Sequence, residues 1–129
     1  MSWKKKWDYA FYKGTILQKQ IVKAILIHFP ELDPSDVVSA PECANGADIQ
    51  LSDKAMELFP YQIEAKNQNR MKEIYKVFRQ AVSHGNATPI AIIKRDDEEA
   101  LLIMKPDVFY KLVANQNVLF FSLLFYQYV

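Results

Sequence analysis

The chain has 129 residues, half of them apolar and 24% charged, with a formal net charge of +1. That length supports one hydrophobic core and is short for two, so a single domain over residues 1–129 is expected, and the composition is too apolar for wholesale disorder. A lone cysteine, Cys43, excludes an internal disulfide and a thiolate zinc cluster, while the near-neutral charge excludes nucleic-acid binding by bulk attraction and leaves only local basic patches.

The N-terminus carries Trp3, Lys4, Lys5, Lys6, Trp7 and Asp8 and no apolar stretch of signal-peptide length, so a cytoplasmic location is expected. Over residues 12–28, Ile16, Leu17, Ile21, Ala24, Ile25 and Ile27 recur near helical spacing until Phe29-Pro30 stops the pattern, which predicts a first helix. A turn-rich stretch follows, then Val37-Val38 as a short strand and a loop over residues 41–46. Two further strands are expected over residues 47–51 and 61–65, and Ser52 with Met56 and Leu58 reads as a capped helical turn inserted between them. Residues 67–69 are turn formers. Ile74, Val77, Phe78, Ala81 and Val82 then make the stripe of an amphipathic helix ending at Gly85. On its opposite side Lys72, Lys76 and Arg79 fall at i, i+4 and i+7 and form one basic line.

Residues 89–93 and 100–104 read as a β-hairpin across the charged turn 94–99. Pro106 suits the first turn of a helix carrying Val108, Phe109, Leu112 and Val113. The tail 118–129, VLFFSLLFYQYV, is apolar but shorter than the roughly 20 residues of a membrane span, so it is expected to be buried in the protein or in a partner. The resulting order, α-β-β-β-α-β-β-α, predicts an α/β fold with a central mixed sheet flanked by helices.

The chemistry is concentrated in Gly46-Ala47-Asp48-Ile49-Gln50 and Tyr61-Gln62-Ile63-Glu64-Ala65-Lys66. On a strand, residues i and i+2 share a face, so Glu64 and Lys66 point together and Ile63 and Ala65 point the other way. Pairing of the Asp48 strand beside them adds a second carboxylate. Two acids with the backbone carbonyl of Ala65 are a donor set suited to Mg²⁺, with Mn²⁺ as a substitute, and Lys66 is placed to orient a water or steady charge at a phosphoryl group. The alternative is an exposed charged strand pair with Asp48 in a turn.

The spacing of Asp48, then Glu64-x-Lys66 at the end of an apolar strand, then a helix bearing Gln80, resembles the PD-(D/E)XK nuclease superfamily. Together with Lys13-Gly14 opening helix one, it is similar more narrowly to archaeal-type and phage-encoded Holliday junction resolvases, over a core of residues 13–104. The resemblance implies a restriction-endonuclease-like fold, metal-dependent cleavage of branched DNA, a homodimer, and Gln80 near the active centre. It directs attention to Lys13, Arg70, Lys72, Lys76 and Arg79 as DNA contacts. Two departures stand out. Gln18 and Gln20 occupy the stretch of helix one where these nucleases commonly carry a glutamate, and Ala47 precedes the aspartate in place of proline. Glu42 is a candidate replacement for the missing acid, against an ordinary surface-loop glutamate. A nicking or restriction-like duplex nuclease and a DNA-binding module with lost catalysis are the competing functions.

Overall fold

The computed structural model describes residues 2–41 and 44–127. Glu42, Cys43 and the last two residues of the apolar tail lie outside the described residues. The elements are α1 (Trp3–His28), β1 (Val37–Ser39), β2 (Ile49–Leu51), α2 (Asp53–Leu58), α3 (Lys72–Ser83), β3 (Ala91–Ile93), β4 (Leu101–Ile103) and α4 (Pro106–Gln127). The fold is mixed α/β. Among the described residues the strands form two antiparallel two-stranded sheets, β1–β2 and β3–β4, and not one mixed sheet. The chain divides into two compact units, Met1–Asn67 with Tyr110–Val129, and Gln68–Phe109.

In the first unit α1 begins much earlier than the apolar pattern of residues 12–28 suggests. Ser2 has extended backbone and its hydroxyl accepts from the Lys5 amide, so it caps a helix that starts at Trp3. Gly14 therefore lies inside α1 and does not open it. At the other end the His28 ring bonds the Ala24 carbonyl at 2.8 Å through Nδ1, satisfying one of the last carbonyls of the helix. Ile25 and Phe29 are buried in the core of this unit together with Val37 of β1 and Ile49 of β2, and Leu32, Ala55, Phe59, Tyr110 and Val113 complete it. Phe59 is its aromatic centre, with ring centroids 5.6 Å from Phe29, 4.8 Å from Tyr61 and 5.8 Å from Tyr110. Edge-on contacts of this kind add to the area buried and fix where residues 59–61 lie.

Strands β1 and β2 pair Val37 with Leu51, Val38 with Gln50 and Ser39 with Ile49. Ser52 ends β2 and caps α2, its hydroxyl accepting from the Ala55 amide at 3.1 Å and donating to Asp36 Oδ1 at 2.6 Å. The other Asp36 oxygen accepts from the Asp33 amide at 2.8 Å. These donors, with the Lys54 charge, hold the Asp36 carboxyl below its ordinary pKa of 3.8, the Ser52 hydroxyl contributing most. A carboxylate whose folded pKa is depressed stabilises the protein above its unfolded pKa and loses that contribution as pH falls through the folded value. Asp36→Asn should therefore lower the melting temperature at neutral pH, and the gap to the parent should close below about pH 4. Thermal melts from neutral to strongly acid pH test this, and a gap independent of pH would refute the charge-assisted lock.

The second unit pairs α3 with the β3–β4 hairpin. The hairpin aligns Ala91 with Ile103, Ile92 with Leu102 and Ile93 with Leu101. Its turn places Asp97 at φ 63, a left-handed position that aspartate tolerates better than most residues. Helix α3 ends where the sequence predicts, with Gly85 at φ 154 just past His84. Ala91 is the buried apolar residue of this unit.

The apolar tail is helical and continuous with the helix that Pro106 begins, so α4 runs for 22 residues. By length and composition it is long and apolar enough to cross a membrane, a property that twelve tail residues taken alone lack.

Candidate active site

Residues 61–65 do not form the expected third strand, yet they lie beside the start of β2. The Asp48 amide donates to the Ile63 carbonyl at 2.9 Å, and the Asp48 carbonyl accepts from the Ala40 amide at 2.8 Å, so Asp48 joins the β1–β2 pair to this segment. The Ala65 amide, which a ladder needs for a backbone carbonyl, is taken by Asp48 Oδ2 at 2.6 Å. Pro60 has no amide to offer at the other end. One interstrand bond and one side-chain bond therefore replace a regular ladder.

The extended alternation survives. Tyr61, Ile63 and Ala65 are half-buried, while Gln62, Glu64 and Lys66 are exposed, so the acid and the amine share the outward face. Asp48 itself is half-buried. Its partner surface is a cleft of about 480 Å³ between α1 and the ends of the β1–β2 pair, lined by Asp48 together with Gly14, Thr15, Gln18 and Lys19 of α1. Glu64 and Lys66 are not part of that lining.

Gln18 and Lys19 reach the cleft because positions 14, 15, 18 and 19 fall on one face of a helix. In the sequence Gln18 stands out only as a departure from a pattern, and Lys19 does not stand out at all. The i, i+4 spacings from Gly14 to Gln18 and from Thr15 to Lys19 are the signal that marks them. Lys13 instead stands with its ammonium 5.1 Å from the Tyr9 ring centroid and does not line the cleft.

Gln80, Arg70, Lys72, Lys76 and Arg79 all belong to the second unit and are exposed. The Gln80 carbonyl accepts from the Ser83 hydroxyl at 2.7 Å in the last turn of α3.

Among the described residues no group of three or more His, Cys, Asp or Glu side chains comes together to hold a metal ion. The acids at the candidate site are two, Asp48 and Glu64. These two carboxylates and the carbonyl of Ala65, whose amide the Asp48 carboxylate holds, are oxygen donors of the type a hard divalent cation takes, and of the three residues only Asp48 lines the cleft. The glutamine amide of Gln18 adds an oxygen to the cleft without adding charge. No family model, curated protein or solved structure matches this chain.

Proposed function

We propose that the protein is a metal-dependent endodeoxyribonuclease of the PD-(D/E)XK type, with a restriction-endonuclease-like arrangement and branched DNA as its substrate. The observation that carries this reading is the pair of bonds from Asp48 to the 63–65 backbone, which brings an acid 16 residues away in sequence beside Glu64-Ala65-Lys66. An accidental charged strand has no need of that juxtaposition. In this reading Asp48, Glu64 and the Ala65 carbonyl hold Mg²⁺ or Mn²⁺, which supplies Lewis acidity toward the phosphoryl oxygens when bound. Lys66, on the same face as Glu64, orients the attacking water and offsets charge at the phosphorus. The Asp48 bond to the Ala65 amide fixes the carboxylate before substrate arrives, so little reorganisation is left for the reaction itself. The test is cleavage of duplex, flap and four-way DNA with Mg²⁺ and with chelator. Chelator-sensitive cutting of the four-way form above the duplex supports the reading, cutting of duplex alone favours a nicking or restriction-like enzyme, and binding without cutting favours a module that has lost catalysis.

Gly14 adds a second line of support. Inside a helix glycine costs about 1 kcal/mol relative to alanine. A Cβ at Gly14 would meet no protein atom within 4 Å, so packing within the protein does not require this residue. Its open side lines the Asp48 cleft, where a DNA strand would need the space. Gly14→Ala is expected to raise the melting temperature by about 4 °C, from the usual relation between stability and melting temperature, while raising KM for DNA several-fold. A variant that is more stable and cuts with unchanged KM would remove the cleft from the substrate path.

A further inference from the structure

We propose that a second, uncharged cleft beside Asp48 is a nucleobase site that takes an unpaired adenine of the bound DNA. This deepens the nuclease reading and rests on it for DNA as the ligand. The cleft has a volume of about 270 Å³ and runs along β2 and residues 61–62. Three side-chain amides line it, those of Asn45, Gln50 and Gln62, together with Leu51, Met56 and Tyr61. Among the described residues no charged side chain does. Asn45, Gln50 and Gln62 are exposed, and no hydrogen bond engages their amides with another described residue.

The chain puts this cleft next to the acids. Gly46, at φ 105, makes a turn that glycine adopts far more readily than other residues. Around that turn Ala44 and Asp48 line the larger cleft and Asn45 and Ala47 line the uncharged one, so residues 44–48 serve both. Gln62 lies on the outward face that carries Glu64 and Lys66, and two residues of extended chain, about 7 Å, separate it from Glu64. Gln50 stands two residues beyond Asp48. On both segments the amides are therefore one step along from the carboxylates.

The two clefts divide the chemistry of a nucleotide between them. Asp48 and Lys19 in the larger one suit a cation and a phosphate. A cleft without charge gives an anion nothing to pair with, whereas amides supply donors and acceptors together, as the edge of a neutral base requires. Asparagine and glutamine match adenine in particular, because one amide can accept from N6 and donate to N7. Leu51, Met56 and Tyr61 offer contact to the face of the base, and the Phe59 ring, 4.8 Å from that of Tyr61, holds the tyrosine in place. Entry needs a base already out of the stack, and an unpaired one at a branch costs least to extrude.

The test is affinity, measured by fluorescence anisotropy in chelator, for flap DNAs identical except for one unpaired nucleotide, A, C, G or T, beside the branch. The parent is compared with Gln50→Leu and Gln62→Leu, whose melting temperatures should match the parent's because both side chains are exposed. The expected result is ~5- to 100-fold tighter binding of the adenine DNA by the parent, the discrimination of one bidentate base contact, and loss of that margin in at least one variant with affinity for the other three DNAs unchanged. Equal affinity for the four DNAs overturns the proposal, as does an adenine margin that both variants retain, or one that persists when the adenine is paired in duplex. Cleavage of the same DNAs with Mg²⁺ keeps the two readings apart. Cutting without a base preference leaves the nuclease and removes the base site, while an adenine margin that the variants lose, without cutting, supports the base site and removes the nuclease. Failure to bind any of the DNAs removes both.

Discussion

Asp48→Asn, Glu64→Gln and Lys66→Ala are each expected to lower DNA cleavage by ~10²–10³-fold, the usual effect of removing one group that stabilises transition-state charge. Asp48 separates chemistry from structure because its carboxylate has two roles. Asparagine can still accept from the Ala65 amide through its side-chain oxygen, so Asp48→Asn should keep the clamp at residues 63–65 and lose only the charge. Asp48→Ala loses both, leaves a half-buried amide without its acceptor, and should lower stability by about 1–3 kcal/mol as well. Lys66 is exposed, so Lys66→Ala should leave the melting temperature and Mg²⁺ affinity unchanged while cutting fails. Single-turnover cleavage, thermal melts and titration calorimetry with Mg²⁺ measure the three quantities. Parent-like cutting by all three charge-removing variants would falsify the proposed site.

The elements that were legible in the sequence are those whose signal is local. Ser52 caps α2, α3 follows its apolar stripe to Gly85, and the 91–103 hairpin closes across its charged turn, each from residues a few positions apart. The N-terminal part of α1 was hidden because Trp3, Tyr9, Phe11 and Tyr12 remain exposed, so no buried stripe marks the helix and only the Ser2 cap does. Residues 61–65 carry a genuine two-residue alternation of burial, which is what the pattern reported. Whether that alternation becomes a ladder depends on which acceptor the Ala65 amide finds, and a side chain 17 residues earlier outcompetes a backbone carbonyl. The tail presents the same limit from another direction. Its composition calls for burial, but only the packing of Tyr110, Val113 and Asn117 divides α4 into a held part and an uncovered one. The candidate site was readable as residue types at a spacing; its second wall, the Gly14-Gln18-Lys19 face of α1, required knowing that α1 crosses the ends of β1 and β2.

Neutralising Lys72, Lys76 and Arg79 together is expected to weaken DNA binding for every sequence alike and to reduce the slope of log affinity against log salt by roughly 2–3 units, because each duplex phosphate left without its cation lowers that slope by about 0.9. The three side chains are exposed along one line of α3, and successive turns of a helix set them about 5 Å apart. A uniform loss is the signature of backbone contact, because phosphates position a protein on DNA without reporting sequence. The alternative is a solvated face that keeps α3 soluble, and this has a distinct outcome: binding and its salt slope would be unchanged. The cleavage constant separates the line from the chemical site. With DNA saturating, the triple variant should cut at nearly the parent rate, since its charges act in the encounter and register of the strand, whereas Lys66→Ala should bind at nearly parent affinity and fail to cut. Affinity measured across salt concentrations and cleavage measured at saturation therefore test two parts of the protein with one set of variants, and an intact salt slope in the triple variant would return the basic line to solvent.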